Sequence, residues 1–290
     1  MGETVAHATR ADFMACRRVL ERFGTSYALG TRFLPADIRP DVWALYAFVR
    51  SPDEWVDNPK TPIDPAAMEQ RLQDWMQTLR RSATGERVDD VVLRAFGDTV
   101  RRRAIPLCLC EEFLNAMAMD LRRSRYADWD DLCTYMRGSA AVVGEMMCWI
   151  MDSTQERSLY AAGQLGVAMQ LTNFLRDIGE DYERGRIYIP QDMLMRHGLS
   201  DADIAARCVD ARHKALMTEL VARARSLYRA GNEGIRLLPT GCRRAIRVSS
   251  ALYEAILRKI EQQGYDVYYQ RARTSRMEKL RLVARYWSSL

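Results

Sequence analysis

The chain has 290 residues, 48% hydrophobic and 28% charged, which is ordinary usage for a protein with a sizeable core. Sixteen glycines and nine prolines are too few for a strand-rich fold, and seven cysteines, an odd number without framework spacing, exclude a disulfide scaffold and fit a reducing compartment. The formal net charge of +5 suits an anionic substrate, a membrane surface or nucleic acid equally, so it selects none of them.

The apolar pattern predicts helices almost throughout. Residues 11–34 repeat at three- and four-residue spacing and should form one helix ending near Pro35. Pro40 suits the first turn of the next, which places Val42, Leu45, Tyr46 and Val49 on one face. That helix runs toward Pro59, and Pro59, Pro62 and Pro65 mark a loop. Amphipathic helices are expected at 66–81, 89–103, 106–121 and 128–151. The most apolar stretch, 140–151, contains Glu145 and falls well short of the roughly 20 residues of a membrane span. A proline-free helix covers 156–181, residues 186–199 are irregular, and helices resume at 200–230, 240–264 and 275–288. With no repeat, low-complexity tract or linker, one all-α domain over 1–290 is expected. Cys108 and Cys110 read as a core pair, and His7, His197 and His213 as surface or structural. His7, Arg10 and Asp12 interrupt any apolar run of a signal peptide. The expected location is cytoplasmic, with peripheral membrane contact left open.

Two aspartate pairs carry the chemical signal. Asp53 and Asp57, and Asp177 and Asp181, are four residues apart, so each pair projects from one helix face. Like charges at that spacing are mildly destabilising, and no cation lies between them in sequence. Magnesium would relieve the conflict, because it takes one or two carboxylates together with substrate phosphates. Two such faces opposed across a cavity could hold several Mg²⁺ ions and a diphosphate. Gln170, Asn173, Asp177 and Asp181 fall within roughly 80° of arc on a helix that is otherwise apolar. A polar stripe on a buried helix needs water, metal or ligand as partner. A lone pair of this kind is as a rule a solvated surface feature; the amide-decorated stripe is harder to read that way. Pro52 deletes a helical N–H just before Asp53, so it should kink the helix or restart it there and weaken the first site if Asp53 turns away.

Several segments together resemble the phytoene/squalene synthase family, in order and over nearly the whole chain. They are 25–35 (Thr25-Ser26-Tyr27 through Phe33-Leu34-Pro35), 42–57 with Arg50, Asp53 and Asp57, and 135–144. The longest run is Gln170-Leu171-Thr172-Asn173-Phe174-Leu175-Arg176-Asp177-Ile178-Gly179-Glu180-Asp181, followed by Arg184-Gly185-Arg186-Ile187-Tyr188-Ile189-Pro190. The resemblance implies helices packed around a prenyl-binding cavity, the isoprenoid synthase type. It implies a magnesium-dependent prenyltransferase (Mn²⁺ as an alternative) that joins two allylic diphosphates head to head through a cyclopropylcarbinyl diphosphate. Two geranylgeranyl diphosphates giving phytoene, without NADPH, is the preferred form. The alternatives are squalene or dehydrosqualene from two farnesyl diphosphates, a hopanoid-pathway relative, or an inactive helical partner protein. Asp53, Asp57, Asn173, Asp177 and Asp181 would hold the metal. Arg50, Gln170, Asn173, Tyr253, Arg271 and Lys279 would bind diphosphate, and Tyr46 and Tyr27 would orient it or stabilise cations. Phe23, Val142, Glu145 and Phe174 are the expected cavity liners, while Phe23 and Thr25 stand where relatives often carry polar or basic residues. No nucleic-acid partner is expected, because the arginines are dispersed rather than gathered on one face. The oligomeric state is left open.

Overall fold

The computed structural model describes residues 7–57 and 64–287, and every regular element among them is helical. Pro59 and Pro62 of the expected loop, and residue 288, lie outside the described residues. Helix α1 (Arg10–Phe23) opens on a capping box in which Thr9 and Asp12 satisfy each other's backbone N–H groups. It stops at Gly24, and α2 (Thr25–Thr31) follows, so the expected helix over 11–34 is two. The residue at the break can carry no side chain. The Tyr46 hydroxyl lies only 2.8 Å from where a Cβ on Gly24 would stand.

Helix α3 (Arg39–Asp57) continues through Pro52, so the helix does not restart there. Pro52 is buried, so its ring is held in place by packing while the lost hydrogen bond is confined to one carbonyl. Helices α4 (Pro65–Ala83) and α5 (Val91–Arg103) start on Asp64 and Asp90, whose side chains accept from the first free backbone N–H groups. Helix α6 (Leu107–Met119) follows. Cys110 on it is buried 3.8 Å from Met146 sulfur, whereas Cys108 is exposed, against the expected core pair. Residues two positions apart on a helix are turned about 200° from each other, so both could not face one core. His7 and His197 meet carboxylates near the surface, and buried His213 bonds the Tyr265 carbonyl at 3.1 Å.

The stretch expected as one helix over 128–151 is α7 (Trp129–Met136), a π-helical turn (Arg137–Ala141) and α8 (Val142–Ile150). Helix α9 (Glu156–Glu183) is the longest and packs against α8, the π turn and three later helices. In the segment expected to be irregular, α10 (Gln191–Arg196) forms a short turn of helix. The expected helix over 200–230 is also two, α11 (Asp201–Ala205) and α12 (Ala211–Glu233). Arg207 between them has φ 52°, and Asp210 caps the restart. A 3₁₀ turn (Gly234–Leu237), α13 (Thr240–Gln262) and α14 (Arg276–Trp287) complete the described chain. No helix among the described residues is long and apolar enough to cross a membrane.

Helices α8 and α9 approach until backbone meets backbone. A Cβ on Gly144 would stand 2.3 Å from the Ala162 carbonyl oxygen, and one on Gly166 2.4 Å from that of Ala140. Those carbonyls are fixed in helices and cannot give way as a flexible side chain would. Gly166→Ala is therefore expected to lower unfolding free energy by about 1–3 kcal/mol, read from the shift of the urea midpoint at unchanged slope.

Candidate functional site

Helices α2, α3, α6, α8, α9 and α13 enclose a cavity whose wall is mostly apolar or small, including Leu45, Val49, Met117, Val143, Met147 and Ile246. One part of the wall is polar. There α3 contributes Tyr46, Arg50 and Asp53, α9 contributes Gln170 and Asn173, and α13 contributes Tyr253. The cavity wall thus takes residues from both sequence motifs, although of the four aspartates only Asp53 is among them, and Asp57, Asp177, Asp181 and Arg271 are not. Tyr27 and Tyr46 lie beside each other with ring centroids 5.5 Å apart. Burial pushes the Tyr46 hydroxyl up to about 12 and raises that of Tyr253, so both stay protonated at neutral pH.

None of the four expected cavity liners lines it. Val142 is fully buried, Glu145 is bonded to Arg137, Phe174 stacks on Tyr188 at 4.0 Å, and Phe23 lies under the Arg50 guanidinium at 4.8 Å. Val143 and Gly144 take the place of their neighbours. A π turn carries more residues than an α turn, so the one at Arg137–Ala141 displaces the inward face of α8 from the α-helical expectation.

The aspartates are not uncompensated, as the sequence suggested. Arg50 pairs with Asp53 and Glu54, and Arg186 pairs with Asp57. Arg176 bonds Asp177 through Nε at 2.8 Å, Arg271 reaches Asp177 at 3.0 Å and Glu180 at 3.2 Å, and Arg184 stands 3.6 Å from Asp181. Asp177 itself has left the helical region (φ −108°, ψ 16°), so α9 kinks there and the expected straight stripe from Gln170 to Asp181 is bent. Lys279 lies partly buried on α14, where burial lowers its pKa, and is not among the residues lining the cavity.

Three residues that sequence reasoning passed over complete the cluster. Asp120, just past α6, accepts hydrogen bonds from the Tyr135 hydroxyl at 2.5 Å and the Tyr188 hydroxyl at 3.1 Å. Tyr188 and Arg186 were visible in the 184–190 motif without a role attached; Asp120 had no local signal at all. Their association depends on α6, α7 and the 184–190 segment meeting in space. Tyr126, Tyr135, Phe174 and Tyr188 form a packed aromatic group beneath them.

Charge balance shows what the cluster lacks. Burial, then Asp177, pushes Asp181 up to about 8 against the pull of Arg184 and Arg186. Burial, then Asp57, raises Asp53 far above the usual carboxylate range. Burial raises Asp120 to about 6 despite Arg186 and its two tyrosine bonds. Even with arginines in place, the site favours taking up protons near neutral pH, because burial first and the neighbouring carboxylates second outweigh the arginines. A divalent cation fits that deficit. Among the described residues no group of three acidic, histidine or cysteine side chains encloses an ion. Magnesium, which keeps waters and shares its shell with phosphates, suits so open a donor set.

A family model described as squalene/phytoene synthase matches residues 20–278. The chain is 35% identical over 277 residues to the 15-cis-phytoene synthase of Synechococcus elongatus, covering 91% of this chain and 89% of that protein. It is 36% identical over 272 residues to the chloroplastic phytoene synthase 1 of Solanum lycopersicum, covering 91% of this chain but only 65% of the plant protein's length. A solved dehydrosqualene synthase in complex with a ligand superposes with TM-score 0.88 at 26% identity, over 96% of both chains. The squalene synthase HpnC from Alicyclobacillus acidocaldarius gives TM-score 0.81 at 28% identity, over 89% of this chain and 95% of that one.

The raised carboxylate pKa values make a pH prediction with a defined sign. The folded state holds protons that the unfolded chain releases near pH 4, so this contribution to stability is lost as pH rises from about 4 through 8. In metal-free buffer, Asp181→Asn should gain thermal stability over the parent at pH 8 and keep little of that gain at pH 5. Melting curves across that range check it.

Proposed function

We propose that this chain, which belongs to the squalene/phytoene synthase family, condenses two molecules of geranylgeranyl diphosphate head to head into phytoene. The observation that carries the reading is a carboxylate cluster short of positive charge beside an otherwise apolar cavity. The 15-cis-phytoene synthase relative at 35% identity supports the choice of product.

In this reading Asp53, Asp57, Asp177 and Asp181, with Asn173, would hold Mg²⁺, with Mn²⁺ as an alternative. The bound metal would supply Lewis acidity to the departing diphosphate. Arg50, Arg176, Arg186 and Arg271, now paired with the aspartates, give the diphosphate guanidinium partners as it enters. Gln170 and Tyr253 orient it from the cavity wall. The apolar wall then excludes water while the allylic cation forms, and the second substrate's double bond attacks it. Proton loss closes the cyclopropylcarbinyl diphosphate. A second ionisation and rearrangement, ending in proton loss, gives the linear hydrocarbon. The faces of Tyr27 and Tyr46 stabilise positive charge along this path. Neither step needs a nicotinamide. Squalene or dehydrosqualene formation from two farnesyl diphosphates is the second reading, favoured by the likeness to the solved dehydrosqualene and squalene synthases.

Incubation with geranylgeranyl diphosphate and Mg²⁺ is expected to give phytoene. EDTA should abolish the reaction, and NADPH should change neither rate nor product. Rejection of the C20 substrate, with conversion of the C15 one, would transfer the assignment to the second reading.

Asp177→Asn keeps side-chain shape but removes the charge that Arg176, Arg271 and the metal share. Turnover is expected to fall at least ~100-fold, about 2.7 kcal/mol of transition-state stabilisation, with little change in melting temperature. Near-normal turnover in steady-state kinetics would remove Asp177 from the metal site.

A further inference from the structure

Phe23, the last residue of α1, is 39% exposed, so burial of apolar surface gives it little reason to stand where it does. Its ring lies instead against two guanidinium groups, that of Arg50 at 4.8 Å and that of Arg22 at 5.0 Å. The packing of the chain holds it there. Helix α1 lies along α3, and Gly24, the next residue, comes so near the Tyr46 hydroxyl that a Cβ would stand 2.8 Å from it. Tyr46 is four residues before Arg50, hence one turn away on the same face of α3. Arg22 is exposed and lies outside the cavity wall, whereas Arg50 belongs to it.

Arg50 needs such a hold. Its terminal nitrogens bond Asp53 and Glu54, and its Nε is buried without a hydrogen-bond partner among the described residues. An unpaired buried donor is costly until something accepts from it. In the reading above Asp53 would turn to the metal, and Arg50 would then lose one of the two carboxylates that fix its head.

We propose that Phe23 is a positioning residue for Arg50, holding the guanidinium by its face and leaving its edge, Nε included, to the diphosphate. The inference rests on the reading of the cluster as a metal–diphosphate site. A planar guanidinium makes two kinds of contact. Its N–H groups point outward in the plane and match phosphate oxygens, while its faces are free to stack on an aromatic ring. A carboxylate competes with phosphate for the edge. A ring does not, because its quadrupole attracts the cation without taking an N–H. Phe23 therefore keeps its grip while carboxylates are exchanged for diphosphate.

The test is calorimetric titration of inorganic diphosphate into the full chain with Mg²⁺ present, which needs no turnover. Leucine supplies an apolar side chain without a ring, and tryptophan supplies a stronger ring. Phe23→Leu should weaken binding about 5-fold and leave the melting temperature unchanged. Phe23→Trp should bind at least as tightly as the parent. A ring that only packs predicts the opposite order, since leucine would be tolerated and the larger tryptophan would crowd its neighbours. The proposal is overturned if Phe23→Leu binds like the parent or if Phe23→Trp is the weaker of the two. It is equally overturned if Arg22→Ala alone reproduces the leucine loss, which would make Arg22 the residue that the ring serves. A parent that binds no diphosphate with Mg²⁺ overturns the metal-site reading and this inference together. A parent that binds, with the leucine variant its equal, overturns this inference alone.

Discussion

Four aspartates from two distant stretches of sequence, joined by Asp120, are gathered beside a largely apolar cavity whose wall only Asp53 of them enters, and the rest of the site is arranged around their mutual repulsion. Burial removes the water that would screen them, so their charges act on one another more strongly than on a surface. The protein answers with arginines at every aspartate of the two pairs. That answer is incomplete, since Asp181, Asp53 and Asp120 still hold protons far more tightly than free carboxylates do. A fold that keeps such a cluster stores an affinity for cations.

The scaffold that holds this cluster is stiff where precision matters. Helix α9 carries Gln170, Asn173, Asp177 and Asp181, and it is held by backbone-to-backbone contact at Gly144 and Gly166, where no side chain separates the helices. The π turn before α8 sets which residues of that helix meet the cavity, and the break at Asp177 sets where the acidic residues point. On α3, Pro52 lies buried between Phe48 and Val56, and the helix runs on through it. Irregular backbone thus occurs beside the site, where it redirects side chains by a fraction of a turn.

Polarity is divided as cation chemistry would require. Tyr27, Tyr46 and Tyr253 place aromatic rings and neutral hydroxyls between the charged cluster and the apolar wall. Burial keeps those hydroxyls protonated, so they can donate to a diphosphate oxygen and offer a ring face to a cation without adding negative charge of their own. Asp120 and the tyrosines bonded to it extend the network behind Arg186, which ties the far side of the cluster to the aromatic packing beneath it.

The local physics of the chain was legible in its sequence. Apolar spacing of three and four residues fixed the helical class, and the two aspartate pairs with Gln170 and Asn173 marked the polar part of the site before any coordinates. Periodicity is a property of neighbours in the chain, so it reports helices well and breaks poorly. The interruptions at Gly24 and Arg207 escaped it because each is a single residue outside helical backbone angles, and apolar spacing on either side does not register one residue. Which arginine meets which aspartate, the entry of Asp120, and the exchange of Val142 for Val143 in the cavity wall were decided by tertiary structure alone. Each depends on the distance between segments far apart in sequence, or on a π turn that shifts the register. Charge pairing and burial act through space, and only the folded chain sets those distances.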